Sequence, residues 1–196
     1  MKKFYLYAIL LFSFEVFAGP FGFSSGMSIN DLNKLGDFKS ESTAYWYKAR
    51  EIKNGNNNFE AYSVLVVPGY GLCKIIAVGK DIVSNTYGEQ VRSDFDELTS
   101  ALKLKYGSPT NQYDFLRSGS IWKDSNDFMM GLAKKDRTLA NFWLGSDGAK
   151  LPDDLKAISL TAGALSSSKG FVSLAYEFSS VSECMAASKI KSNSSL

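Results

Sequence analysis

Between Ala157 and Phe178 the chain alternates with a period of two. Ile158, Leu160, Ala162 and Ala164 alternate with Ala157, Ser159, Thr161 and Gly163. After a Ser- and Gly-containing break at 166–170, Val172, Leu174, Tyr176 and Phe178 alternate with Ser173, Ala175 and Glu177. One apolar face and one small or polar face predict an antiparallel hairpin whose second face is half exposed. From Glu89 to Tyr106 the period changes. Val91, Phe95, Leu98 and Leu102 recur at i, i+4, i+7 and i+11, one stripe of an amphipathic helix. Arg92, Asp94, Asp96, Glu97, Lys103 and Lys105 fill other positions as a solvated face, and Gly107 and Pro109 stop the helix.

Two β-branched runs, 59–67 and 72–79, carry apolar residues on both parities and predict central strands joined through Pro-Gly-Tyr-Gly at 68–71. That link is no dinucleotide fingerprint, because Lys74 stands where the motif requires Gly and no helix follows the first strand. Residues 43–50 read as an aromatic-rich strand, 54–58 as a turn, 113–122 as a strand, 124–136 as a short helix begun by Asp124 or Ser125, and 137–145 as a further strand. Residues 188–196 are polar and are expected to fray. With no internal repeat and no shift in composition, residues 19–187 predict a single α+β domain. It is a mostly antiparallel sheet with one long amphipathic helix and short helices packed on it.

The first 18 residues are of another kind. Lys2 and Lys3 precede an apolar run from Phe4 to Phe14, and Val16-Phe17-Ala18 presents small residues at −3 and −1. This predicts a cleaved signal peptide, residues 1–18, with the cut after Ala18. A membrane anchor needs about 20 apolar residues, and Glu15 closes this run sooner. The expectation is a periplasmic or secreted chain with no stable membrane anchor. Removing Lys2, Lys3 and Glu15 lowers the formal charge from +2 to about +1. So balanced a chain lacks the basic footprint expected of a nucleic-acid binder. It also lacks the Lys/Arg clusters that dock on anionic lipid. The only cysteines, Cys73 and Cys184, are expected to form a disulfide in an oxidising compartment, with two buried thiols as the alternative. Two Cys without any His cannot supply a usual zinc set, so no metal is expected.

Ser28 with Asp31 three residues on is an acidic variant of the capping box. Ile29, Leu32 and Leu35 follow at helical spacing, and Gly36 stands where a helix-ending glycine belongs. The glycines of 21–36 therefore bracket a short helix and need no phosphate. The segment Gly-Met-Ser-Ile-Asn-Asp-Leu-Asn-Lys-Leu-Gly (26–36) resembles the start of small helices in the SmpA/OmlA outer-membrane assembly lipoproteins. It is also similar to segments of uncharacterised exported proteins of Gram-negative bacteria. That resemblance implies the cell envelope as a compartment. The family's lipid-bearing Cys is missing here, and Asp37 stands where the family carries Pro shortly after the glycine.

Candidate chemistry is sparse. Without His there is no imidazole base for Ser-His or Cys-His catalysis. Ser-x-x-Lys occurs at Ser100/Lys103, Ser120/Lys123, Ser166/Lys169 and Ser188/Lys191, as often as chance provides in a chain rich in both. Asp124 with Asp127, or Asp153 with Asp154, would be the carboxylates of a small cell-wall hydrolase. The competing reading is that they cap helices. No cofactor motif is present. Tyr45, Trp46, Tyr47, Phe142 and Trp143 (with Trp122) are the candidate binding residues, since aromatic rings on a strand with a wet face can anchor a partner. Core packing is their alternative. The sequence thus predicts a binding protein acting on an envelope or secreted protein partner, in an inhibitor, immunity or assembly role. The hydrolase is the second reading.

Overall fold

The computed structural model describes residues 19–193 apart from Asp153; the predicted signal peptide lies outside the described residues. The strands are β1 (Lys39–Ser40), β2 (Trp46–Ala49), β3 (Phe59–Val67), β4 (Gly71–Gly79), β5 (Ile82–Val83), β6 (Asn111–Leu116), β7 (Arg137–Leu144), β8 (Leu155–Ala164) and β9 (Lys169–Phe178). They form one antiparallel sheet in the order β1-β2-β3-β4-β9-β8-β7-β6, with β5 pairing the start of β9. The helices are α1 (Ile29–Leu32), α2 (Glu89–Tyr106), α3 (Phe128–Ala133) and α4 (Val181–Asn193). The chain is a single α+β domain, as the hydrophobic pattern predicts.

The first face of the sheet carries the main core. In α2, Phe95, Leu98, Leu102 and Tyr106 are buried with Ile158, Leu160, Leu174 and Tyr176 of the β8–β9 hairpin, while Val91 is buried with Phe128, Met129 and Leu132 of α3. One polar tie sits inside this layer, where Asn141 of β7 donates to Thr99 of α2 at 2.9 Å with both residues buried. A satisfied buried hydrogen bond of this kind sets a helix's position, because sliding it would orphan both groups. Gly88 begins α2 with φ 74, and a Cβ there would lie 2.2 Å from the Phe128 ring, so only glycine fits. Toward β3 and β4 the same face is covered by residues 20–38. The ring of Phe21 packs edge-to-face on Phe59, Tyr62 and Tyr176 with centroids 5.1–5.9 Å apart.

Several boundaries depart from expectation. Helix α1 is capped as predicted, with the Ser28 hydroxyl accepting from Asp31 N–H, but it ends at Leu32. Gly36 instead bridges Ile52, and a Cβ there would meet the Ile52 side chain at 2.6 Å. The strand expected over 43–50 starts only at Trp46, because Tyr45 adopts φ 67. The strand expected over 113–122 runs from Asn111 to Leu116, and the helix expected over 124–136 is a 3-10 turn, 125–127, followed by α3.

The largest correction concerns the tail. Residues 188–193 do not fray; they complete α4 on the second sheet face. Val181, Cys184 and Ser188 form its buried stripe, too narrow and too polar to stand out in the sequence. The Ser188 hydroxyl donates to the Ala44 carbonyl at 2.7 Å. Cys184 is bridged to Cys73 of β4, which bolts the helix to the sheet.

Candidate binding surface

Strand alternation sends odd residues of β7, β8 and β9 to opposite faces according to register. Leu139, Asn141 and Trp143 of β7 point to the α2 side, while Thr138, Ala140 and Phe142 point to the second face. Register then places Phe142, Ser159, Ala175, Ile76 and Ser63 in one row across that face. Ala140, Thr161, Ser173 and Val78 form the next row. Helix α4 packs on β3 and β4, over Leu65, Val67 and Cys73. Among the described residues no helix lies over β9, β8, β7 and β6 on this side, and their side chains are mostly half-buried by one another alone.

This uncovered face has a distinct chemistry. Its centre is small: Ala157, Ser159, Thr161 and Gly163 in β8, Ser173 and Ala175 in β9. Phe171 lies over Gly163, where a Cβ would stand 2.6 Å from the ring. Its charges sit at the border, where Lys74 and Glu177 face each other across β4 and β9 at 2.6 Å and neutralise one another. Its far rim is aromatic. Tyr113 and Phe115 of β6 are 42% and 50% exposed, and Tyr113 packs edge-to-face on both Phe115 and Phe142 (6.2 and 5.7 Å).

The predicted binding residues divide. Phe142 belongs to the uncovered face. Trp143 does not: it is fully buried in the α2 core, and its indole N–H donates to the Gly107 carbonyl at 2.7 Å. Consecutive residues of a strand cannot share a face. Trp46 and Tyr47 likewise point to opposite sides. Trp46, opposite Leu65, packs with Tyr45 around the disulfide under α4, whereas Tyr47, opposite Val64, leans on the main core. Tyr45, Trp46 and Tyr47 therefore form no common outward surface. Trp122 is half-buried in the loop after β6, its backbone N–H donating to the Ser120 hydroxyl. Tyr113 and Phe115 were missed as site residues, although their odd spacing in a short run beside Asp114 marks one face of a strand.

Among the described residues, Asp124 and Asp127 do not converge with Asp154. Asp124 and Asp127 make a reciprocal capping box ahead of α3, which packs near Ala162 and Ala164 at the end of β8. Asp154 precedes the start of β8, about 30 Å away along a ten-residue strand. Its carboxylate accepts from Ser179 and from Ser25. Asp153 lies outside the described residues. The Ser-x-x-Lys serines are engaged elsewhere: Ser100 with Asp96 O, Ser120 with Asp136, Ser166 with Ser168 and Ser188 with Ala44 O. An open trough of about 630 Å³ beside β2 and β3 is lined by Lys48, Arg50 and Lys80 but also by Glu51 and Glu60, so it selects neither sign of charge. Among the described residues no group of three or more His, Cys, Asp or Glu side chains gathers to hold a metal, and no helix is long and apolar enough to cross a membrane.

No family model, curated protein or solved structure matches this chain.

Proposed function

We propose that this chain is an exported binding protein of the cell envelope that docks a protein partner on its uncovered sheet face, as an inhibitor, an immunity protein or an assembly component. The observation that carries the reading is the face itself. Four strands present small side chains and an aromatic rim, nearly free of unpaired charge, with no helix among the described residues laid over them. Small centres let a partner's backbone or rings approach closely, and exposed rings supply anchors of the type that dominate interfaces. The Cys73–Cys184 bridge supports an oxidising compartment. Export with cleavage after Ala18 belongs to the same proposal.

The test uses the chain produced by its own export signal. Its intact mass should begin at Gly19. A photocrosslinking residue at Ser159, in the centre of the face, should trap a defined envelope protein, and one at Leu104 on the solvent side of α2 should not. Ala175→Lys, which plants a charge in that centre, should weaken capture about thirtyfold, the equivalent of about 2 kcal/mol. Equal crosslinking from Ser159 and Leu104, or undiminished capture by a folded Ala175→Lys chain, would refute the surface.

A further inference from the structure

The two edges of the sheet are built differently. On one side the sheet ends in β1, only two residues long, which contains Lys39 and lies between Asp37 and Glu41. A very short, charged edge cannot template another strand. On the other side it ends in β6, six residues long, with Gln112, Tyr113, Asp114 and Phe115 all exposed in succession. That edge carries no Lys, no Pro and no bulge. Its one charged residue, Asp114, is of the kind that can blunt an edge, but its carboxylate is paired with Arg92 and Arg137.

The hydrogen-bond phase of β6 tells which backbone groups stand open. Arg117 N–H donates to the Asp136 carbonyl at 2.7 Å, in the same register as the β6–β7 pairs. Odd residues of β6 therefore bond to β7, and the N–H and C=O groups of Gln112, Asp114 and Leu116 point away from the sheet. We infer that two copies of this chain pair antiparallel along β6, with a two-fold axis at Asp114, to make one continuous sheet.

This register uses every outward group. Gln112 pairs with Leu116 of the second copy, Leu116 with its Gln112, and Asp114 with its own equivalent. A self-complementary strand about a two-fold axis closes after two copies, so the edge is used up and no filament grows. On the uncovered face Tyr113 then stands opposite Phe115 of the other copy, twice, and aromatic cross-strand pairs stabilise antiparallel sheets. On the α2 side two Asp114 carboxylates meet near the axis. Like charges there would repel, but each Asp114 is already held by Arg137 at 2.8 Å and Arg92 at 3.2 Å. The two carboxylates lie among four guanidinium groups. This pairing goes beyond the partner reading and does not rest on it: the open backbone groups of β6 carry it, although Tyr113 and Phe115 belong to both surfaces.

Sedimentation of the mature chain over about a hundredfold range of concentration should show a monomer–dimer equilibrium. In the dimer, the amide protons of Gln112, Asp114 and Leu116 should gain protection from exchange, while those of Tyr113 and Phe115, already bonded to β7, change little. Phe115→Lys and Gln112→Pro should each shift the equilibrium at least about tenfold toward monomer. The first puts a charge at the cross-strand pair, and the second removes an outward donor at an edge that tolerates proline. Leu104→Lys, at a site 91% exposed on α2, should leave it unchanged. A wild-type chain that stays monomeric throughout, or a dimer in which the Gln112, Asp114 and Leu116 amides exchange freely, would overturn the inference.

Discussion

Trp143 offers the sharpest measurement of how the two sheet faces differ. Its ring is fully buried on the α2 side, and its N–H reaches the carbonyl of Gly107, the residue that ends α2. A buried Trp removes about 200 Å² from water, worth about 5 kcal/mol at ~25 cal/mol per Å². Residual burial in the unfolded chain takes back up to about a third of that. Loss of the hydrogen bond adds about 1 kcal/mol. Trp143→Ala should therefore cost about 4 kcal/mol, within the range of about 3–5 typical of such truncations. Trp143→Phe keeps most of the ring and loses chiefly the hydrogen bond. Because Gly107 is exposed, water can resolvate its carbonyl, and the cost should fall to about 1–2 kcal/mol. Tyr113→Ala, on the exposed rim, should stay within about 1 kcal/mol. Urea titration followed by circular dichroism measures all three on one scale, with an unchanged slope required for comparison. If Trp143→Ala and Tyr113→Ala shifted the midpoint equally, the division of the sheet into a packed core face and an uncovered face would be wrong.

Two further outcomes follow from the same geometry. The Cys73–Cys184 bridge closes a loop of 111 residues, so Cys73→Ala with Cys184→Ala should lower stability by about 4–5 kcal/mol on the chain-entropy account, and alkylation of the denatured, unreduced protein should label neither cysteine. Asp31 should titrate at about 2 rather than 3.8, because the Lys34 ammonium and then the Ser28 hydroxyl hydrogen-bond its charged form. A depressed carboxyl stabilises the fold above the unfolded value of 3.8, and that contribution is lost as pH falls toward 2. Carbon-detected NMR titration should show Lys34→Ala moving it back toward 3.8, and no movement would refute the pairing.

Much of this fold is legible along the chain because its main elements are decided locally. The stripe of Val91, Phe95, Leu98 and Leu102 predicts α2, since a helix must bury whichever face repeats at its own period. The alternation in 157–178 predicts β8 and β9 for the same reason at a period of two. Ser28 and Asp31 mark the start of α1 because a cap is a contact between near neighbours.

Other features depend on contacts between distant residues. Helix α4 hides behind Ser, Ala and Lys because its buried stripe holds one aliphatic residue, one half of a disulfide and one serine. It is stabilised by Cys73 and Ala44, both more than a hundred residues away. The fate of each aromatic is decided in the same way. Phe142 and Trp143 are neighbours of similar character, and only the placing of α2 over one sheet face makes Trp143 core and leaves Phe142 beside Tyr113 on the other. Periodicity tells which residues share a face. Which stretch of the sheet receives a helix, and which stays uncovered, is settled only when the sheet and its helices pack in three dimensions.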